Sequence, residues 1–537
     1  MTQSNGPLQE ADERYATLLN NANAVRALCS SVEGTLGPKG LDVMLVGQNG
    51  DVIITNDGVT ILDKMDVSHP AAKLLIQVAR AQQNEVGDGT TTATVLAGAL
   101  VQEGVAQVTR GVPAAKVVSG LLQGIAFASE QLQARSISLN GWEDERLLRA
   151  VHIAGREQAD IVRLVMEAGR AVGWERLQDD RFRLAEAVVA HEKADNECFA
   201  GVLLKQKPLQ REWLPERRDC RVLVLQDSLE PEALDEQLLT TEAGFQQYMA
   251  HRSLFIERLE RLRELGVGFI VLERSIHPEA EQFCLDHDMM VVQRVSREDV
   301  LHVCRLTGAK PLKRAALAKE PSALSSLLGY AGCVRYDERL ERVRIYGREA
   351  GASTTHGREF LDEGERQQHA SHAHAPSPVQ VTLIVGASTR EVVGERARIA
   401  QDAASALQAA VRSGVLPGGG TAELAVSYAL ERFRETVRGM EAFGIAAVAQ
   451  ALRKPMAQIV LNAGFNPLEK LEEARAVQTA TGSDAVGIDC DTGAAMDYLA
   501  AGIVDPAAVK LHALKAAGEV AAAVLRIHTI IKMRSDA

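Results

Sequence analysis

The sequence predicts a multidomain α + α/β protein, with two helix-rich ends folding together and an α/β domain inserted between them. Its 537 residues suffice for about three or four domains of ordinary size. Ala, Val and Leu dominate from about residue 15 to 135 and again from about 400 to the end, the composition of closely packed helices. Between these ends lie "CRVLVLQDS", "GVGFIVLE" and "MMVVQRV", short β-branched runs that alternate with helical stretches, as in a mixed α/β domain.

Along the N-terminal end, the helical pattern breaks once. "LDVMLVG" and "DVIITNDG" read as strands, and "GQNG" between them has hairpin chemistry. In the insertion, "EAGFQQYMAHRSLFIERLERLREL" sets Phe245, Tyr248, Met249, Phe255, Ile256, Leu259 and Leu262 at helical spacing, which predicts one apolar stripe. A surface helix resting on its own domain is the ordinary reading of such a stripe. The polar, Pro-containing "EGERQQHASHAHAPSPVQ" reads as a loop. Its histidines His369, His372 and His374 have no recognisable metal-ligand pattern.

A net charge of −12 argues against a general nucleic-acid binder, which needs a basic face to neutralise phosphates. Seven cysteines without a CxxC pair read as reduced thiols, not a disulfide framework or zinc site. No signal peptide and no membrane-spanning run is recognisable, so a soluble cytoplasmic protein with no membrane partner is expected.

Chemistry concentrates in short turns. In "GDGTTT", Gly87 to Thr92, glycines and clustered threonines interrupt a helical run. Glycine amides and the hydroxyls of Thr90, Thr91 and Thr92 suit phosphate oxygens, and Asp88 suits Mg²⁺, which takes one or two carboxylates plus substrate phosphates. If "TTTATVLAGALV" continues as helix, its N-terminus faces the same anion. A helix cap alone would explain one Asp or Thr, but not the whole run. "TLGPKG", Thr35 to Gly40, leaves amides free for close approach to an anion, though any Gly-Pro turn looks alike. Asp57 in "TNDGVTI" fits a plain Asx turn equally well. Asp402 sits at the edge of the apolar face made by Ile399, Ala403, Ala406, Leu407 and Ala410; it fits a satisfied, partly buried acid or a carboxylate reaching into a cleft. "LPGGGTAE", with Gly418, Gly419 and Gly420, suits close approach of a flat ring. Neither GxxxxGK[ST] nor GxGxxG occurs, so any nucleotide site is of another kind.

Together, "TLGPKG", "NDGVTIL", "GDGTTTATVLAGALV", "LPGGGTAE", "NAGFNPLEKLEE" and "GIVDPAAVKLHALKAAGEVAAAVLRI" follow the order and spacing of the chaperonins. The chain resembles the group II type, similar to thermosome subunits, or the bacterial branch with group II-like architecture. The end "KMRSDA" lacks the Gly-Gly-Met tail of the group I type.

The resemblance implies a discontinuous architecture. Residues 1–143 and 412–537 would form an equatorial ATP-binding domain and 144–214 with 385–411 an intermediate hinge. Residues 215–384 would form an apical substrate-binding domain with a helical protrusion, a built-in lid, at about 231–265. It also implies the cofactors ATP and Mg²⁺. By resemblance Asp88 ligates the metal, and Gly89, Thr90, Thr91 and Thr92 hold phosphates. Leu36, Gly37 and Pro38 lie along the nucleotide; Gly418 and Gly419 face the adenosine; Asp489 lies at the other nucleotide-facing segment, "GIDCDTG"; Asp505 binds the ribose. Asp57 and Asp402 position or activate the attacking water, and Asp402 arrives when the hinge closes. Phe245, Tyr248, Met249, Phe255, Ile256 and Leu259 would contact clients and seal the lid.

The expected function is an ATP-dependent chaperone that encapsulates non-native proteins, built from identical subunits in stacked rings of about eight and needing no separate lid protein. The alternative is a non-catalytic ring-forming structural or adaptor protein; the presence of Asp57, Asp88 and Asp402 argues against it. Arg156 stands where group II proteins often carry a nucleotide-sensing lysine, "QREWLPERR" lacks the usual His-Pro-Gly, and the His-rich segment is rewritten.

Overall fold

A computed structural model describes residues 7–47, 50, 52–192, 194–209, 216–232, 242–347, 380–387 and 389–531. The chain divides into two compact units, Met1–Glu186 with Ala397–Ala537, and Ala187–Arg396. Residues 144–186 and 397–411 thus fall in the first unit, and 187–214 and 385–396 in the second. His369, His372 and His374 lie outside the described residues, as do parts of the "GQNG" turn and of "QREWLPERR".

The first unit is helical. At its centre runs the helix Thr90–Thr109, whose Ala93, Leu96, Ala97, Leu100 and Val101 are almost wholly buried. Around it pack Pro7–Glu33, Pro70–Glu85, Glu441–Ala451 and Ala507–Arg526. Small side chains let these helices approach closely, and the N- and C-terminal thirds of the chain share one core. The strand Val415–Pro417 pairs antiparallel with Val504–Pro506, setting Leu416 opposite Asp505. The expected hairpin is present, with Val43–Val46 antiparallel to Val52–Thr55.

The second unit holds a six-stranded mixed sheet. Glu216–Leu225, Val267–Leu272 and Met290–Val292 are the three β-branched runs, and they lie side by side in parallel. Gly329–Asp337, Arg342–Tyr346 and Val202–Leu204 extend the sheet antiparallel. Alternate side chains serve opposite faces. Val222, Val224, Phe269 and Val271 pack with Val300, Val303 and Leu306 of one helix. Leu223, Leu225, Ile270 and Leu272 pack with Phe255, Leu259 and Leu262 of the helix Glu242–Glu264.

That last helix departs from the single stripe expected. Phe255 and Leu259 are 2% and 1% exposed, in the core of their own unit. Phe245, Tyr248, Met249 and Ile256 are exposed, and every side chain from Phe245 to Ala250 faces solvent. The cause is geometric: Phe255, Leu259 and Leu262 recur at helical spacing on the side that packs in the core, whereas Ile256 lies on another side and Phe245, Tyr248 and Met249 precede that buried stretch. The expected outward contact by Phe255 and Leu259 is therefore not available in this conformation, whereas Phe245, Tyr248, Met249 and Ile256 are at the surface. Among the described residues no helix is long and apolar enough to cross a membrane, and all seven cysteines are free thiols.

Candidate functional site

The "GDGTTT" turn links the helices Pro70–Glu85 and Thr90–Thr109. Gly87 and Gly89 have φ of +80° and +77°, a left-handed backbone that side chains disfavour. Gly89 is the N-cap of the second helix and has no side chain to bond its leading amides. The Asp88 carboxylate accepts from the Gly89 N–H at 2.6 Å. Gln82, fully buried, braces the turn: its amide donates to the carbonyls of Asp88 at 2.7 Å and Val509 at 3.1 Å. Its carbonyl oxygen lies 2.7 Å from His512 Nδ1.

A Cβ on Gly89 would lie 2.5 Å from Val509 Cγ1. Gly89→Ala therefore combines a clash with a left-handed penalty of about 1–2 kcal/mol. Its thermal midpoint is expected below that of the wild type; an unchanged midpoint would contradict this packing.

Asp57 caps the helix Gly58–Lys64, accepting from Val59 N at 3.3 Å and Thr60 N at 3.2 Å. The Asx-turn reading is thus correct. The same carboxylate also meets the phosphate-type turn, because Thr90 Oγ1 donates to Asp57 Oδ1 at 3.4 Å. Gly58 lies directly against Thr91, where a Cβ would come within 2.5 Å of its Oγ1.

The acids are felt electrostatically at Asp88. Burial, then Asp505, and more weakly Asp57 push its carboxyl up to about 6, while the Gly89 N–H and Arg156 oppose them. Asp57, Asp88, Asp505 and Arg156 therefore share one neighbourhood. Like charges in a partly buried place repel one another, and Asp88, on which that repulsion falls, is the carboxylate that a hard divalent cation would relieve. Arg156 follows the helix Glu145–Ala154, and both Arg156 and Glu157 are left-handed, with φ of +48° and +60°. Two such non-glycine residues in succession are uncommon.

Asp402 lies on the helix Arg390–Ser413 and is partly buried, while Ile399, Ala403, Ala406, Leu407 and Ala410 are buried as expected. Ser405, one turn on, touches the "GDG" turn: a Cβ on Gly87 would lie 2.2 Å from its Oγ. Residues three apart share a helix side, so Asp402 belongs to the side that runs past this turn.

The remaining turns interlock nearby. In "TLGPKG", Leu36 is half-buried and Gly37 and Pro38 are exposed. Asn462 holds this loop by donating to Glu33 O at 2.9 Å and Leu36 O at 2.8 Å. Lys39 reaches across to Asp491 at 2.5 Å, tying the loop to "GIDCDTG". There Asp489 accepts from Asp491 N at 2.9 Å and Thr492 Oγ1 at 2.7 Å, and these bonds lower its pKa. Gly418 is buried beside Ile503. Gly419 packs against the ring of Tyr498, where a Cβ would lie 2.5 Å from Cε2. The Tyr498 hydroxyl donates to Ile488 O at 2.7 Å, and burial raises its pKa to about 12. Asp505 pairs with the buried Lys510 at 2.9 Å, and Lys510 also bonds Glu423.

The structure thus gathers Asp57, Asp88, Thr90, Arg156 and Asp505 within the first unit and packs the Asp402 helix against the same turn. The protrusion residues Phe245 to Leu259 belong to the second unit. Gln82, Ser405, Glu423, Tyr498 and Lys510 escaped the sequence reading. A signal existed for Lys510, a cation amid the apolar "AAVKLHALKAA", and for Glu423 within "TAELAV".

The profile of the TCP-1/cpn60 chaperonin family matches residues 28–535. A thermosome subunit of Pyrococcus abyssi is 29% identical over 546 residues, covering 98% of this chain and 93% of the relative. Thermosome subunit alpha of Archaeoglobus fulgidus is 30% identical over 529 residues, covering 95% and 91%. The crystal structure of a group III chaperonin in the open state superposes with a TM-score of 0.82 at 42% identity, covering 97% of this chain and all of that one. These likenesses run nearly end to end and agree with the fold and with the resemblance read from the turns. The chain belongs to the TCP-1/cpn60 chaperonin family and is a group II-like member of it.

Proposed function

We propose that this chain is a subunit of an ATP-driven, ring-forming chaperone that encapsulates non-native proteins. The observation that carries the reading is the grouping of Asp57, Asp88, Asp505 and Arg156 around an N-terminus capped only by glycine, with the Asp402 helix packed on the same turn. Thr90, Thr91 and Thr92 and the leading amides of their helix hold phosphate oxygens. Leu36, Gly37 and Pro38 line the nucleotide; Gly418 and Gly419 face the adenosine, with Asp489 at the other nucleotide-facing segment; Asp505 binds the sugar. Asp88 is the metal ligand and would hold Mg²⁺, which would offset phosphate charge. Asp57 and Asp402 orient the attacking water and accept its proton, and Arg156 senses the phosphate. All these acids lie in one chain, so each subunit hydrolyses its own ATP.

Residues 1–143 with 412–537 act as the equatorial domain, 144–214 with 385–411 as the hinge and 215–384 as the apical domain. Stacked rings of identical subunits, about eight per ring, form the chamber. The protein acts in the cytoplasm without nucleic acid, membrane or a separate lid protein. Purified protein should hydrolyse ATP with Mg²⁺ and not with EDTA, and should refold a denatured client only when ATP is present. Neither activity in a correctly folded preparation would refute the reading.

The exposed turns of the helix Glu242–Glu264 supply the lid. Phe245, Tyr248 and Met249 are free to meet a client or a neighbouring copy, and each Å² of apolar surface they bury contributes ~25 cal/mol. A variant with all three changed to Asp is expected to lose client encapsulation while ATP turnover continues. Phe255→Ala is a different lesion, a core cavity of about 3–5 kcal/mol. A triple variant that still shelters its client from protease would rule out this lid.

A further inference from the structure

Lys510 occupies a position where its helix, Ala507–Arg526, otherwise buries small apolar residues. Ala507, Ala513, Leu514 and Ala517 are buried, and Lys510 is buried among them. A buried ammonium is strongly unfavourable unless paired and hydrogen-bonded. Glu423 meets that need, because Lys510 Nζ donates to both of its oxygens at 2.8 Å. The two side chains are only 4% and 5% exposed, and as a pair they are neutral.

The ammonium has three donors. Its remaining contact is to Asp505 Oδ2 at 2.9 Å, and Asp505, at 31%, is the member of the three that reaches solvent. This bond shares in stabilising the ammonium, since Asp505 and Glu423 together offset its burial. The bond also acts on Asp505: one of its oxygens is fixed from the buried side. Both partners come from segments that meet at the triple-glycine turn. Glu423 follows the triple-glycine turn on the helix Thr421–Thr436, and Asp505 is paired with Leu416 on the strand leading into that turn.

We propose that Lys510, held by Glu423, is a positioning residue that presents the free oxygen of Asp505 to the hydroxyls of a ribose, so that the site selects ribonucleotides over deoxyribonucleotides. This rests on the nucleotide-binding reading given above. An ionised carboxylate only accepts hydrogen bonds, and the vicinal hydroxyls of ribose are donors. A site built around such a bond discriminates against an analogue that lacks the hydroxyl, because its fixed acceptor is then left unpaired.

The test is equilibrium titration of the full-length protein with ATP and with 2′-deoxyATP. The wild type is expected to prefer ATP by about tenfold, the scale of one hydrogen bond to a charged group. The double variant Glu423→Gln/Lys510→Met removes both buried charges together and strands neither. Its preference is expected to fall close to one, chiefly through weaker ATP binding. A merely structural role would weaken both nucleotides alike, so a preserved ratio would overturn the proposal. Asp505→Asn, at a partly exposed position, is expected to lose the preference as well and serves even if the double variant does not fold. Retention of the wild-type ratio by Asp505→Asn would also overturn it. A wild type that binds both nucleotides equally defeats this inference alone, whereas one that binds neither defeats the nucleotide reading.

Discussion

Asp402→Ala is expected to lower the rate of ATP hydrolysis by ~10²–10⁴-fold, the contribution of a positioned acid or base, with little change in ATP affinity. The helix Arg390–Ser413 buries Ile399, Ala403, Ala406 and Leu407, while Asp402 stands at the edge of that face. Alanine is the strongest helix former, so the substitution preserves the helix and a loss of activity cannot be put down to unfolding. Ser405 on the same helix contacts the "GDG" turn, so this helix runs past the proposed phosphate and metal residues. It approaches the site from outside the group of residues that would hold phosphate and metal. Single-turnover hydrolysis measured beside a binding titration separates the two effects. A wild-type rate in Asp402→Ala would remove Asp402 from the mechanism.

Asp88→Ala is expected to act on binding itself, and only when Mg²⁺ is present. In the folded protein Asp88 is destabilised as an anion by burial and by Asp505 and Asp57. Removing it relieves that repulsion, so metal-free nucleotide should bind no worse than before. The affinity gained on adding Mg²⁺ should largely vanish, since even partners one shell out from a metal are commonly worth ~10–100-fold in its affinity. Titrations with ATP in EDTA and in Mg²⁺ measure that gain directly. An undiminished Mg²⁺ dependence would show that the metal sits on other ligands.

Local chemistry made much of this protein legible from sequence. Short β-branched runs between helical stretches marked the three parallel strands, and "DVIITNDG" marked one arm of the hairpin. Glycines at Gly87 and Gly89 signalled a backbone that few other residues adopt. Asp57 could be read as a cap, and it is one, yet its contact with Thr90 joins turns 33 residues apart and lies beyond local pattern. The same limit hid Gln82, whose partner Val509 is 427 positions away. Tyr498 shows a different limit. The triple glycine signalled a close approach at this turn, but not that a tyrosine of the chain itself packs against Gly419. On the helix Glu242–Glu264, periodicity identified the apolar residues correctly. It could not tell which of them pack in the core and which stay at the surface, because spacing alone does not say what lies against each turn.

Electron microscopy of the purified protein, without nucleotide and with ATP and Mg²⁺, tests the central claim most directly. The account predicts two stacked rings whose chamber is open without nucleotide and closed at the apical end with it, with no second protein present. Particles that form no rings, or rings whose chamber is the same in both conditions, would contradict it.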